Sequence, residues 1–294
     1  MKHLTAFVHT AVLRFRLEPI FFVLSYLSGS FLKWIPNPKF YTTDNRLVTV
    51  RRNGVCFQLD RSDYMQWHIY AKQPDNSWRI ALRYLKDNTI IVDAGANCGA
   101  FCLRVAQCAN KKGLSNFKIL AFEPNPFVYR KLIKNLAMNP QIAKYIVPVQ
   151  EGLGNEEDRL TLRFNNSNTG NGSILLSRGH EDDVVSVAVN TLDKYLAEST
   201  LTALPVSFIK IDVEGFEPYV LKGAYRSIEK HTPALYIEVT EQWFNQFNRS
   251  QIDVFGELAV RGYALYAEEK RGFESIDANL VYSNRQFNML AVHE

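Results

Sequence analysis

The chain has 294 residues, of which 47% are hydrophobic and 22% are charged, close to the average soluble globular protein. This composition excludes a mostly disordered chain, which could not bury enough apolar surface to fold. The 34 basic and 30 acidic residues give a net charge of +4, with both signs interspersed. The sequence therefore lacks the basic stripe that is typical of proteins that bind nucleic acid. The length allows one large domain or two small ones.

Two apolar stretches open the chain. Apolar residues recur on one helical face over Leu4–Phe15, and fourteen uncharged residues form Pro19–Leu32. The second stretch is shorter than the about 20 residues that a spanning helix needs. Two helices packed on the main domain are favoured, and an interfacial membrane helix, giving residues 1–35 a peripheral membrane contact, is the alternative. We expect an N-terminal helical extension over 1–45 and the main domain over 46–294.

The cysteines indicate the compartment. Cys56, Cys98, Cys102 and Cys108 form neither a CxxC pair nor a Cys/His spacing typical of zinc sites. We therefore expect reduced thiols and no metal in a cytoplasmic protein, with membrane association depending on the first apolar stretches.

Strand and helix patterns alternate from residue 47 onward. Asn53-Gly54 lies between two short strand patterns, a strong hairpin signal. Buried strands are predicted at 89–92, 118–122, 145–149, 206–211 and 234–239. Helices are predicted at 77–86, with Ser77 as the cap, and at 100–110, 127–138 and 217–230. The patterns also predict an antiparallel insertion at 159–164 and 184–189 and a closing hairpin at 263–266 and 287–292. Repeated βα units predict an open α/β sheet with helices on both faces, which binds ligands beyond the carboxyl ends of its strands.

The first buried strand runs into a glycine loop, Asp93-Ala-Gly95-Ala-Asn97-Cys-Gly99. Glycines allow a sharp turn and a close backbone approach to a ligand, and the following helix offers unpaired N–H groups. The GxxxG spacing differs from the dinucleotide GxGxxG fingerprint, and no GKS or GKT phosphate loop is present. The Asp93 carboxylate suits a cationic ammonium better than a pyrophosphate.

Glu123 ends the next strand, 24 residues after Gly99. A carboxylate at this place can accept both hydroxyls of a ribose. Together with the glycine loop it indicates a pocket for a nucleoside with a positively charged tail, a description that S-adenosylmethionine fits. The plainer alternative is a tight turn followed by a helix-capping glutamate.

A third strand end carries Lys210, Asp212 and Glu214, whose shared parity allows their side chains to face one side. Acidic groups there could hold a substrate hydroxyl, act as a general base or bind a divalent cation. Glu214 and Glu217 could instead simply complement the N-terminus of the next helix. Glu238, at the adjacent strand end, is a candidate for substrate binding, or for sharing Mg²⁺ or Mn²⁺ with Asp212 and Glu214.

The segments VDAGANCGAF, EPNP, IKIDVEGFEPYVLKGA and PALYIEV resemble the FkbM family of S-adenosylmethionine-dependent methyltransferases over roughly positions 45–292. The resemblance implies a class I, Rossmann-like sheet of seven strands with an antiparallel last strand, preceded here by the helical and hairpin extension. It also implies O-methylation of hydroxyls on sugars or natural products.

The resemblance assigns roles to the strand-end residues. Asp93, Gly95, Asn97 and Gly99 would line the methionine part of the cofactor, Glu123 would bind its ribose, and Asp212 would lie beside the transferred methyl group. Ala96 and Pro124 belong to the same cofactor-binding segments. The Asn171-Gly172-Ser173 loop resembles the family's polar segment over the active site, so Asn171 and Ser173 are expected to bind substrate.

The expected function is therefore methyl transfer from S-adenosylmethionine to a hydroxyl of a sugar, glycan or natural-product-like small molecule. In this hypothesis Asp212 orients or deprotonates the hydroxyl, supported by Glu214 or Lys210. Two alternatives stay open: a cofactor-binding interaction protein that lacks turnover, and a methyltransferase acting on a non-hydroxyl acceptor.

Overall fold

The computed structural model describes residues 2–25, 27–72, 75–163, 184–246, 250–270, 272–280, 282 and 286–294. The chain folds into two compact units, divided between residues 75 and 76. The hairpin and the helix within residues 47–70, which the sequence assigns to the main domain, group with the first unit. None of the described helices combines the length and the apolar character needed to cross a membrane.

The first unit contains helices and one hairpin. Its elements are α1 (Lys2–Arg14), α2 (Glu18–Leu24), two 3-10 segments (Gly29–Trp34 and Pro38–Phe40), β1 (Leu47–Arg52), β2 (Val55–Asp60) and α3 (Tyr64–Tyr70). The predicted hairpin is confirmed, because β1 pairs antiparallel with β2 and both turn residues have positive φ, 52° at Asn53 and 86° at Gly54.

Helix α1 packs with only part of the predicted face. Among its side chains whose burial is described, Val12 of the predicted face and His9 outside it are buried, whereas Phe7 and Phe15 of the predicted face are exposed. His9 is drawn inward by the Lys33 carbonyl, 3.2 Å from its Nε2 atom, and by edge-to-face contact with Phe40. The hydrophobic periodicity could not identify this face because the residue that anchors it is a histidine.

The second unit carries the large sheet. Its strands are β3 (Thr89–Ala94), β4 (Phe117–Phe122), β5 (Ile146–Val149), β6 (Gly152–Leu153), β7 (Asp158–Arg163), β8 (Val184–Asn190), β9 (Val206–Ile211), β10 (Ala234–Thr240), β11 (Tyr263–Glu269), β12 (Gly272–Ser275) and β13 (Gln286–His293). Its helices are α4 (Ser77–Tyr84), α5 (Ala100–Lys111), α6 (Pro126–Ala137), α7 (Pro140–Ala143), α8 (Leu192–Glu198), α9 (Glu217–Lys222), α10 (Tyr225–His231), α11 (Glu241–Gln246) and α12 (Gln251–Val260).

The sheet confirms the predicted α/β fold class. Its order is β12-β11-β13-β10-β9-β3-β4-β5, with parallel pairing from β10 through β9, β3 and β4 to β5. Strand β13 runs antiparallel to both β10 and β11, as expected. The sheet has eight strands rather than seven, because the chain after β11 folds back and β12 pairs with it.

The strand order reverses at β3. One series continues from β3 to β4 and β5, whereas β9 and β10 lie on the other side. The parallel strands are almost continuously apolar and buried, with Ile91, Leu120 and Ile209 fully enclosed, as expected for strands covered on both faces. The carboxyl ends of β3, β4, β9 and β10 therefore meet at a topological switch point, where α/β sheets bind ligands.

The predicted insertion forms a separate sheet. Strand β7 pairs antiparallel with β8, and β6 adds to β8 in parallel, giving the order β6-β8-β7. Residues 164–183, which connect β7 and β8 in the sequence, lie outside the described residues.

Two helix predictions need correction. The helix expected over 217–230 is divided into α9 and α10, because Gly223 lies against the Gly154 carbonyl, so that a Cβ there would come within 1.8 Å of that oxygen. The second piece begins where the Asp193 carboxylate accepts hydrogen bonds from the Arg226 and Ser227 N–H groups. Ser77 is the first residue of α4 rather than its N-cap, which is Asn76.

Candidate active site

The glycine loop joins three strand ends. Gly95 has φ +84°, and a Cβ at this position would lie 1.9 Å from the carbonyl oxygen of Asp212. The N–H groups of Gly95 and Ala96 donate to the Phe122 carbonyl at the end of β4. Only glycine fits such an approach of two backbones in this conformation. Gly95 thus holds the ends of β3, β4 and β9 together.

The rest of the loop is held from within. Asn97 has φ +50°, and its side-chain oxygen accepts a 2.7 Å hydrogen bond from the Cys98 N–H group. The buried Asn135 side chain donates to the Cys98 carbonyl at 2.9 Å. Helix α5 begins after Gly99 without a side-chain cap, and an uncapped helix N-terminus favours an anionic ligand group.

Glu123 is fixed at the end of β4. Its Oε2 atom accepts the Asn97 N–H at 2.9 Å, and its Oε1 atom accepts the Asn125 N–H at the same distance. Burial raises the pKa of this carboxyl to about 7, although the two backbone hydrogen bonds oppose the shift. Each carboxylate oxygen has a second lone-pair site, so Glu123 can still accept ligand hydroxyls.

Lys210 links the two acidic strand ends. Its Nζ atom lies 2.8 Å from Asp212 Oδ2 and 3.7 Å from Asp93 Oδ1. This contact follows from the sheet, because Asp93 and Lys210 are register partners in β3 and β9. Asp93 is fully buried, whereas the Asp212 side chain is 33% exposed. Of this group, Asp212 is therefore the residue that an acceptor can reach.

The charges of this pair are mutually reinforced. Burial alone would raise the pKa of Asp212, but the Lys210 ammonium and its hydrogen bond outweigh that effect, so the pKa is lowered. Burial likewise disfavours the Lys210 cation, and attraction by Asp212 and Asp93 outweighs it, so the pKa of Lys210 is raised. Asp212 is therefore a carboxylate, and Lys210 an ammonium, at neutral pH.

Glu238 supplies a protonated partner to Asp212. Burial, followed by repulsion from Asp212, raises the pKa of Glu238 to about 8. The two carboxyl groups share a side-chain hydrogen bond in which the shifts make Glu238 the proton holder. Gln286 of β13 donates to Glu238 Oε1 at 2.7 Å and fixes its orientation. Asp212 is therefore held between a cation and a neutral acid.

Glu214 and Glu217 form the turn between β9 and α9. Glu217 accepts hydrogen bonds from the Val213 and Gly215 N–H groups, at 3.1 and 2.9 Å, so it stabilises the turn. Glu214 adopts a left-handed conformation with φ +53°. Burial and repulsion by Asp212 raise the pKa of Glu214 to about 9. Glu214 is therefore uncharged at neutral pH.

The structure thus brings together most of the predicted site. Lys210, Asp212 and Glu238 form one connected group with Asp93, and Glu123 is bonded to the glycine loop. Ala96 lies in that loop, and Pro124 follows Glu123 and borders Gly152. Asn171 and Ser173 lie outside the described residues. The individual catalytic and binding roles remain predictions.

Sequence reasoning missed the residues that position this group. Gln286 orients Glu238, Asn135 supports the glycine loop, and the Phe101 ring lies 5.8 Å from the Lys210 ammonium. Of these three residues, only Asn135 could have been found from the sequence, because it is a polar residue on the core-facing side of α6. Within the described part of the chain, no group of three His, Cys, Asp or Glu side chains has the geometry to hold a metal ion.

The strand order, the antiparallel β13 and the carboxylates at the ends of β3, β4 and β9 define a class I methyltransferase fold. The chain belongs to the FkbM methyltransferase family, because the family model described as "Methyltransferase FkbM domain" matches residues 93–265. By this membership the chain is a methyltransferase.

Several individual proteins are similar to this chain. Methyltransferase sdnD of Sordaria araneosa is 28% identical over 232 residues, which cover 70% of this chain and 82% of the relative. Methyltransferase 1 of Beauveria bassiana (strain ARSEF 2860) is 31% identical over 157 residues, covering 47% of this chain and 59% of the relative. The crystal structure of methyltransferase FkbM from Methylobacillus flagellatus KT aligns with 96% of this chain at 16% identity and a TM-score of 0.44. This chain covers 60% of that larger protein.

Proposed function

We propose that this chain transfers a methyl group from S-adenosylmethionine to a hydroxyl of a sugar, a glycan or a natural-product-like small molecule. The observation that carries the proposal is the Asp212 carboxylate, partly exposed at the switch point and held 2.8 Å from the Lys210 ammonium. An anionic oxygen at this place suits a neutral acceptor that has a proton to give.

The residues at the ends of β3 and β4 fit S-adenosylmethionine. Glu123 has free acceptor capacity for two ribose hydroxyls, and the uncapped first turn of α5 suits the carboxylate of the methionine part. When bound, the cofactor supplies a methyl group already activated on a sulfonium. The chain therefore needs chiefly to position the acceptor oxygen and to manage its proton.

Asp212 performs both tasks in this proposal. Its carboxylate accepts a hydrogen bond from the acceptor hydroxyl, which fixes the direction of the oxygen lone pair. The same carboxylate takes the hydroxyl proton as the oxygen forms its new bond. Lys210 keeps Asp212 ionised before that event, and the Glu238 carboxyl, which donates to Asp212, limits its rotation.

The proposal is tested in two stages with the full chain. First, calorimetry compares S-adenosylmethionine binding by the wild type and by Glu123→Gln, with Glu198→Gln, an exposed glutamate on α8, as the matched control. We expect the first variant to lose about tenfold or more in affinity, since two charge-assisted hydrogen bonds are weakened. Absence of binding by folded wild type would contradict the assignment of the cofactor.

Second, transfer of a labelled methyl group is measured with matched acceptors that carry a hydroxyl, an amine or hydrogen at one position. Product with the hydroxyl compounds alone supports O-methylation. Product with the amines alone would reassign the acceptor class. Cofactor binding without product in any hydroxylated series would favour a binding protein that lacks turnover.

Asp212→Asn gives the sharpest test of mechanism. We expect kcat to fall by about 10²-fold or more, because the amide cannot take the proton. S-adenosylmethionine affinity should stay close to that of the wild type, since Asn preserves the shape of the side chain. Full turnover with normal cofactor affinity would exclude the proposed role of Asp212.

A further inference from the structure

Helix α2 exposes an apolar stripe. Ile20 and Val23, three residues apart on one face of α2, are 54% and 66% exposed, and Leu27, in the turn that follows the helix, is 81% exposed. The Leu27 and Ser28 N–H groups donate to the Leu24 carbonyl, so this turn is hydrogen-bonded to the end of the helix. The opposite face is anchored, since Glu18 is buried and paired with Arg61 at 3.1 Å.

Helix α1 adds two exposed aromatic rings. Phe7 is 72% exposed and Phe15 is 65% exposed. Both helices contact the same 3-10 segment, Gly29–Trp34, so these exposed side chains belong to neighbouring parts of the first unit. We call Phe7, Phe15, Ile20, Val23 and Leu27 the N-terminal apolar surface. Large apolar side chains gathered in this way usually mark an interaction site.

The charges beside this surface are of one sign. Residues 1–40 contain five Lys or Arg and a single acidic residue, Glu18. Glu18 is buried in its pair with Arg61, whereas Arg14, Arg16, Lys33 and Lys39 are exposed. The charge that this region presents to a partner is therefore positive.

Cations and aromatic rings are interleaved along the same segment. Arg14 lies 6.0 Å from the centre of the Phe15 ring, and Lys33 lies 5.2 Å from that of Trp34. Apolar and aromatic side chains bordered by Lys and Arg are the composition of helices that lie in the interface of an anionic bilayer. A second copy of the chain would bring the same positive charges together, which disfavours a symmetric dimer through this surface.

We infer that the N-terminal apolar surface docks on an anionic lipid surface. The five apolar side chains enter the boundary between headgroups and acyl chains, and the exposed Arg and Lys residues contact lipid phosphates and carboxylates. The residues of this surface belong to the first unit and the proposed methyl-transfer residues belong to the second, so the inference concerns attachment of the enzyme rather than the compound that it methylates.

The test is co-sedimentation of the full chain with vesicles. Vesicles of phosphatidylcholine alone are compared with vesicles that contain about 30% phosphatidylserine, at about 0.1 M and about 0.5 M salt. We expect binding to the anionic vesicles at low salt, and at least about tenfold weaker binding to the neutral ones, because several cations face the lipid. Failure of folded wild type to bind anionic vesicles would overturn the inference.

Matched variants locate the contact. Ile20→Ser/Val23→Ser/Leu27→Ser should weaken vesicle binding by about tenfold or more, since three side chains no longer enter the lipid. Val260→Ser, which changes an 87% exposed valine on α12, is the control and should bind as the wild type does. Equal binding by the triple variant and the wild type would contradict the proposed surface.

Two further measurements distinguish lipid docking from misfolding of the variant and from self-association. S-adenosylmethionine binding by the triple variant should match the wild type, which shows that the chain is folded and keeps the two proposals independent. Sedimentation equilibrium tests whether a second copy of the chain occupies the surface instead of lipid. A dimer of the wild type that the triple variant abolishes would assign the surface to a second copy of the chain and overturn the lipid assignment.

Discussion

At the end of β9, single side chains set the charge of their neighbours. Lys210 keeps Asp212 ionised, and Asp212 in turn helps to keep Glu238 protonated. Among the acids around the end of β9, Asp212 is therefore the partly exposed, ionised carboxylate, whereas Glu214 and Glu238 are protonated at neutral pH. This arrangement is suited to an uncharged acceptor, because only one of the acids can take its proton.

Glu214 offers a test of these charge states. Burial and nearby carboxylates raise the pKa of Glu214 from 4.5 to about 9, so between these values the folded chain holds a proton that the unfolded chain has released. The stability that this proton contributes is present below about pH 4.5 and declines as the pH rises toward about 9. Glutamine mimics the protonated acid at every pH.

We therefore expect Glu214→Gln to melt close to the wild type at about pH 5 and a few degrees higher at about pH 9. Circular dichroism at both pH values measures the difference. Glu274→Gln on the exposed strand β12 is the control and should shift the melting temperature equally at both. If the difference in melting temperature between Glu214→Gln and the wild type did not increase with pH, Glu214 would not be protonated in the folded chain.

The β3–α5 loop shows how one element fixes the geometry of another. Gly95 and Gly113 share nearly the same φ, +84° and +85°, but a Cβ at Gly113 would meet no atom within 4 Å, whereas at Gly95 it would overlap the Asp212 carbonyl. An alanine at each position therefore carries the same conformational cost, and the two variants differ only in packing.

We expect Gly113→Ala to lower the free energy of unfolding by about 1–2 kcal/mol, the cost of a left-handed alanine. Gly95→Ala should cost at least about 2 kcal/mol more, because the end of β9 must move. It should also weaken cofactor binding, since the loop would shift away from Glu123. Urea unfolding and calorimetry measure both effects, and equal losses in the two variants would contradict the proposed contact.

The sequence predicted the parallel strands and the strand-end acids because both depend on local patterns. Buried strands are continuous apolar runs, and the parity of Lys210 and Asp212 places both side chains on one side, as the 2.8 Å contact confirms. The Glu238–Gln286 contact depends instead on the register between β10 and β13, where Thr240 faces Gln286. No local pattern encodes that register.

The interruption of the predicted helix over 217–230 has a similar cause. Gly223 touches the backbone of Gly154, which is distant in sequence. Strand β12 was missed because its four residues lack a buried face. Local periodicity thus predicts helices and strands whose apolar residues face the core. The interruption of a helix and the pairing of an edge strand depend instead on contacts with residues that are distant in sequence.

Across the whole molecule, charge is unevenly distributed. Residues 1–75 contain ten Lys or Arg and five Asp or Glu, for a net charge of +5, whereas residues 76–294 contain 24 and 25, for a net charge of −1. The positive charge of the chain is therefore carried by the first unit. The second unit has a net charge close to zero.

In the first unit, the Arg61 side chain connects several elements. The guanidinium donates to Glu18 at 3.1 Å and to the Tyr70 hydroxyl at 3.2 Å, and it lies 4.4 Å from the centre of the Tyr41 ring. The paired side chains are only 12% and 8% exposed. Removing one partner would leave a buried, uncompensated charge.

We expect Arg61→Met to destabilise the first unit by about 3–5 kcal/mol. Adding Glu18→Gln should restore part of this loss, because the unpaired carboxylate is then removed. Hydrogen exchange should show lost protection in β1, β2 and α3, with β3, β4, β9 and β10 unchanged, and S-adenosylmethionine affinity should stay constant. Lys194→Met, which removes the exposed ion pairs of Lys194 with Glu157 and Glu198, is the control and should leave the free energy of unfolding close to that of the wild type. Loss of protection throughout the large sheet in Arg61→Met would instead show that the two units unfold as one.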